Sequence, residues 1–87
     1  MRESEIQRKF LKRCNELKIY AFKIIAASKR GVADVCVIHG KVHFIELKRK
    51  GQSQTELQKQ FEKICKLNNI EYLVVNDVDK FDWGMFY

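Results

Sequence analysis

The 87-residue chain is 46% hydrophobic and 32% charged, enough apolar material for one modest core near the lower size limit of independent folding. Its 17 Lys and Arg against 11 Asp and Glu give a net charge of +6, which favours a polyanionic partner, nucleic acid or an anionic membrane face. No apolar run approaches the roughly 18 residues of a spanning helix, MRESEIQRKF does not have the form of a signal peptide, and no proline, repeat or low-complexity stretch marks a linker, so a single domain over 1–87 with no membrane partner is expected.

In chain order, Ser4 can cap a first helix, with Gln7 completing a capping box. Ile6, Phe10, Cys14 and Leu17 recur at helical spacing and mark its buried stripe, with Glu5 beside that stripe in the first turn. IYAFKII, 19–25, is β-branched and aromatic and reads as a strand, followed by the basic loop AASKRG. ADVCVIHGKVHFIELK reads as a hairpin with arms at about 33–38 and 42–48. A second helix begins near Ser53 or Thr55, where SQTE and TELQ both have the form of capping boxes. Leu57, Phe61, Ile64 and Cys65 supply its buried face, and Asn68-Asn69 suits a left-handed C-cap. EYLVV, 71–75, is a fourth strand, and Asp77 can start a short terminal helix. The order α-β-β-β-α-β predicts an α/β fold, a mixed sheet flanked by helices. Cys14, Cys36 and Cys65 fall on apolar faces without CxxC or Cys/His ligand spacing, so they are expected to be buried hydrophobes rather than zinc ligands, in a reducing intracellular setting.

FIELKRK, 44–50, places Glu46 inside an apolar strand with Lys48 on the same face, since side chains alternate. Whether Asp34 joins them depends on the hairpin register. A two-residue loop at Gly40-Lys41 sends Asp34 to the opposite face. A three-residue loop, His39 to Lys41, pairs Ile38 with Val42 and Cys36 with Phe44 and brings Asp34 opposite Glu46; a bulge near Asp34 has the same effect. Two converging carboxylates raise each other's pKa unless a cation lies between them. Such a pair makes a hard-oxygen site suited to Mg²⁺ or Mn²⁺, and Lys48 could offset the charge a phosphodiester gains in its transition state. The plainer alternative is an exposed-edge ion pair of Glu46 with Lys48 or Lys50.

GVAD, FIELKRKG and ELQKQF together resemble the virus-type replication-repair nuclease (VRR-NUC) domain, a branch of the PD-(D/E)xK superfamily, over nearly all of the chain. That pattern is an early helical Glu, a Gly-x-Pro-Asp turn, Glu-x-Lys, and a Gln on the following helix. The resemblance implies a restriction-endonuclease-like core in which Asp34 and Glu46 ligate a metal, the Leu47 carbonyl completes its shell, and Lys48 is the catalytic lysine. It further implies that Glu5 is the early Glu, which orients or ligates the metal, and Gln58 the helix Gln, which helps to position that site or the DNA. Ala33 replaces the proline of the turn, which loosens the backbone but removes no ligand.

The expected activity is a Mg²⁺- or Mn²⁺-dependent DNA endonuclease acting on branched or structured DNA in replication, repair or recombination. Lys29, Arg30, Arg49 and Lys50 are the candidate phosphate contacts. One ion is the minimum and two bridged by Asp34 are compatible. By similarity to stand-alone viral members the chain is expected to form a homodimer, inside a host cell if viral. A junction resolvase of another PD-(D/E)xK branch, a non-catalytic nucleic-acid-binding module and a protein-interaction module are the alternatives. His39 and His43 are expected to be structural or exposed, Glu5 and Gln58 have plain helix-end readings, and FDWGMFY is expected to cover the core or contact a second subunit.

Overall fold

In the computed structural model of the chain, which describes residues 2–87, α1 spans Glu3–Glu16 and buries Ile6, Phe10 and Cys14, the stripe their spacing predicts. It starts earlier than the expected Ser4 cap. Arg2 is the N-cap, and the Glu5 carboxylate accepts from the Arg2 backbone N–H at 3.2 Å, satisfying an otherwise orphaned donor. At the other end Lys18 turns left-handed with φ 60°, so that Ile19 N–H reaches the Cys14 carbonyl at 2.9 Å and Lys18 N–H the Asn15 carbonyl at 3.1 Å. This pair of bonds is a Schellman closure.

The second helix, α2, spans Glu56–Leu67 and closes in the same way. Asn69 takes φ 57°, and Ile70 N–H donates to the Cys65 carbonyl at 2.8 Å. Its start is the TELQ box, with Thr55 at the N-cap.

Four strands lie between and after the helices: β1 (Tyr20–Lys23), β2 (Val35–His39), β3 (Lys41–Leu47) and β4 (Glu71–Val75). They form one sheet in that order, antiparallel through β3, with β4 parallel to β3 as the α2 crossover requires. Ile38 pairs with Val42 and Cys36 with Phe44, which is the register of the three-residue loop. Strand alternation then divides the residues. Val35, Val37, Ile45, Leu47 and Val75 pack under α1 in the larger core, whereas Phe44 and Tyr72 meet Phe61, Cys65 and Ala33 beneath α2.

Two expectations are corrected. Leu57 and Ile64 were expected in the buried face of α2, yet both are exposed. The helix lies over only a narrow part of the sheet, so its apolar stripe is wider than the surface it covers. Nor does a helix begin at Asp77. Asp82 instead caps a 3-10 turn at Trp83–Phe86 by accepting from Gly84 N–H at 3.0 Å. The aromatic tail closes the α1 core: Trp83 lies 4.9 Å from Phe10 between ring centres, and Phe86 is buried against the edge of His43. His43 is buried too, its Nε2 3.3 Å from the His39 carbonyl oxygen. All three cysteines are buried and free. No helix among the described residues is long and apolar enough to cross a membrane.

Candidate active site

Asp34 stands immediately before β2. Its N–H donates to the Ile45 carbonyl at 3.2 Å, and its Oδ2 accepts from the Leu47 N–H at 2.9 Å. These bonds hold the carboxylate at the end of β3, beside Glu46. Glu46 is fully buried, and Lys48 two residues on is nearly so, with its Nζ 3.9 Å from Glu46 Oε1. An exposed edge pair would not look like this. Glu46 and Lys48 face inward, where each demands a partner, while Arg49 and Lys50 that follow are exposed.

Gln58 comes from the first turn of α2. Its Oε1 accepts from the Thr55 N–H at 2.9 Å, which fixes the amide so that Nε2 donates to Glu46 Oε1, also at 2.9 Å. The capping box therefore does two things with one side chain: it starts the helix and holds the strand carboxylate.

The third carboxylate is Glu3. Oxygens of Glu3, Asp34 and Glu46 all lie within 4.8 Å of one another. Glu5, the expected early Glu, is not among them. Two residues along a helix is a rotation of about 200°, and Glu5 is turned to the N-cap, with its Oε1 3.4 Å from the Arg2 guanidinium. The sequence carried a signal for Glu3: it stands three residues before Ile6, in line with the stripe that continues through Phe10 and Cys14, so it points where that stripe points.

Burial pushes the Glu46 carboxyl up to about 8, reinforced by the charge and hydrogen bonding of Asp34 and the charge of Glu3, with Lys48 opposing. The second oxygen, Oε2, is buried, and no N–H of another residue reaches it. Three carboxylates this close do not all ionise near neutrality without a cation between them. The donor set, hard oxygens with one of them buried and without an N–H donor, fits a divalent ion of the Mg²⁺ or Mn²⁺ type.

The candidate phosphate contacts are all exposed, but on two different segments. Lys29 and Arg30 are on the loop before Asp34, and Arg49 and Lys50 follow β3. Arg49 and Lys50 line a groove of about 570 Å³ together with Ile6 and Lys9 of α1 and with residues 76–79, which bring Asp77 and Asp79 into it. Lys9 lines the same groove, where its Nζ is paired with Asp79 Oδ2 at 2.7 Å. Nothing in the sequence marked it, because its proximity to the turn after β3 is made by the fold alone.

No family model matches the chain, and neither does any of the curated proteins. Among solved structures, one described as a VRR_NUC domain superposes with a TM-score of 0.79, covering 90% of each chain at 23% identity. The fold is thus that of a VRR-NUC domain, a mixed four-stranded sheet with two helices in the order α-β-β-β-α-β.

Proposed function

We propose that this protein is a Mg²⁺- or Mn²⁺-dependent endonuclease that hydrolyses DNA phosphodiester bonds, acting on branched or otherwise structured DNA during replication, repair or recombination inside the cell. The observation that carries this reading is the convergence of Glu3, Asp34 and Glu46, whose carboxylate oxygens lie within 4.8 Å of one another, on a fully buried Glu46 whose Oε1 is 3.9 Å from the Lys48 ammonium. A structural ion pair has no use for two further acids.

Glu3, Asp34 and Glu46, with the Leu47 carbonyl, would hold the ion. When bound, it supplies a Lewis acid for a phosphate oxygen and lowers the pKa of a nearby water. The chain's own groups do the rest. Lys48 sits where it can offset the negative charge that grows on the phosphate, and its burial strengthens that interaction. Gln58 holds Glu46 Oε1 by a hydrogen bond and so fixes the orientation of the carboxylate. Leu47 N–H holds Asp34 likewise. Lys29, Arg30, Arg49 and Lys50 bind the backbone without reading sequence, so affinity falls steeply with salt.

The part of α2's face of the sheet that the helix leaves uncovered supports a homodimer. Tyr20, Ile38 and Val42 are cross-strand neighbours at 69%, 45% and 39% exposure, with Phe22 close by at 43%. A continuous apolar row across three strands is an interaction surface, and two copies would present one site to each strand of a duplex. Light scattering at micromolar concentration should give a dimer, and Ile38→Glu a folded monomer. A monomeric wild type would remove the dimer from this reading.

The decisive test is cleavage of labelled duplex, flap and four-way-junction DNA with Mg²⁺, Mn²⁺ or EDTA, comparing wild type with Lys48→Ala. Metal-dependent nicking that is lost in the variant is expected. Symmetric nicks confined to four-way junctions would mark a junction resolvase instead. DNA binding with no cutting in either metal would leave a nucleic-acid-binding module.

A further inference from the structure

The chain between β1 and β2 leaves and rejoins the sheet at the end where Asp34 stands. Ile24 N–H donates to the Asp34 carbonyl at 2.8 Å, so the loop starts on the candidate ligand's own backbone. It finishes at Gly31, which has φ +83° and fits against the start of α2 so closely that a Cβ there would meet the Leu57 carbonyl carbon and oxygen at 2.5 Å. Residues 25–30 therefore run between two fixed posts, one of them the backbone of Asp34, a member of the carboxylate cluster.

What they project is unusual. Ile25, Ala26 and Ala27 are all exposed, and Ile25 at 88% is the most exposed large hydrophobic side chain among the described residues. Single exposed apolar residues need no explanation. Three in succession, followed after Ser28 by the exposed cations Lys29 and Arg30, with exposed Lys23 two residues before Ile25, form an apolar tip on a basic stem. Folding gains nothing from leaving Ile25 in water. A polyanion with apolar faces between its charges satisfies both features, and stacked nucleic-acid bases have that chemistry.

We propose that Ile25 is a wedge that enters the base stack of DNA bound at the carboxylate cluster, next to the phosphate to be cut, while Lys29 and Arg30 hold the flanking backbone. This rests on the nuclease reading above and adds to it the basis of substrate choice. Apolar side chains inserted at a base step must unstack it. That energy is smallest where stacking is already broken, at a branch, nick or mismatch. The wedge thus favours structured over continuous duplex DNA without any base-specific contact.

The test places 2-aminopurine at successive steps around the branch of a four-way junction and in a matched continuous duplex, with Ca²⁺ replacing Mg²⁺ for the fluorescence readings. Wild type should raise the fluorescence several-fold at one step near the cut and prefer the junction. Ile25→Ala should lose the rise and the preference while still nicking continuous duplex in Mg²⁺. Ile25→Lys, which puts a hydrated ammonium at the tip in place of the apolar end, should bind at least as tightly and still fail to unstack. A rise that survives in Ile25→Ala, or no rise at any step in a wild type that cuts, overturns the wedge and leaves the nuclease standing. Conversion of a wild-type dimer to a monomer by Ile25→Ala overturns it as well, since the tip would then be a subunit contact. A wild type that neither binds nor cuts DNA removes both readings.

Discussion

Glu3 and Glu5 are the same residue type two positions apart, and the helix assigns them different work. Glu3→Gln removes one of three converging carboxylates and should weaken metal affinity by about 10–100-fold, measured by calorimetric Mn²⁺ titration, with nicking lost in step. Glu5→Gln removes only a partner of the helix start, and should cost about 0.5–1 kcal/mol of stability while Mn²⁺ binding is unchanged. The reverse pattern would return the early ligand to Glu5. Glu46 gives a second prediction, made for the metal-free protein. The folded Glu46 carboxyl titrates near 8 against an ordinary value of 4.5. Between those values the folded chain keeps a proton that the unfolded chain has released, so stability in EDTA falls as pH rises from about 4.5 to about 8. Glu46→Gln has no such proton to lose. Its melting temperature in EDTA should exceed wild type's at pH 8 by the equivalent of a few kcal/mol, and the gap should close towards pH 4.5. Equal melting curves at both pH values would mean that Glu46 is not buried as a costly acid.

At the scale of the element, chain conformation decides which substitutions are tolerated. Gly31 lies in the left-handed region and against the backbone of Leu57, so Gly31→Ala combines strain with overlap. It should destabilise by about 2–3 kcal/mol, seen as a lower urea midpoint, and displace the start of α2 that carries Gln58. Lys18 presents the opposite case. It holds φ 60° at the end of α1 with a side chain that disfavours it. Lys18→Gly should raise the urea midpoint by about 0.5–1 kcal/mol, with DNA cleavage unaltered. Both substitutions act through one residue's backbone, and their opposite signs follow from whether a Cβ is being added or removed there.

For the molecule as a whole, the α1 core is finished by the last residues of the described chain. Phe86 is buried with Phe81 and Trp83 over Phe10, and their ring centres lie 5–6 Å apart. Phe86→Ala should therefore cost about 3 kcal/mol or more, lowering the melting temperature while leaving the geometry of Glu46 and Lys48 intact in whatever fraction stays folded. Loss of less than about 1 kcal/mol would mean that the tail is an appendage rather than part of the core.

Local rules were enough for much of this. The period of Ile6, Phe10 and Cys14, the TELQ box, the Asn-Asn helix end and the alternation through FIELKRK each depend on neighbours a few residues away, and each forms as those neighbours require. The three-residue hairpin loop was one of two readings that local rules left open, and the register of β2 with β3 settled it in favour of bringing Asp34 towards Glu46. What local rules could not decide was how much surface each element would find to cover. Leu57 and Ile64 stay exposed because α2 has too little sheet beneath it, and Phe81, Trp83 and Phe86 of the tail pack on the core because α1 leaves Phe10 a face to cover. Glu3 was within reach of helical periodicity, but its choice over Glu5 depends on where the first turn of α1 lands relative to the end of β3. Lys9 and the posts that hold the loop of Ile25 belong to that same class: they are contacts between segments far apart in the chain, and only the packed structure brings such segments together.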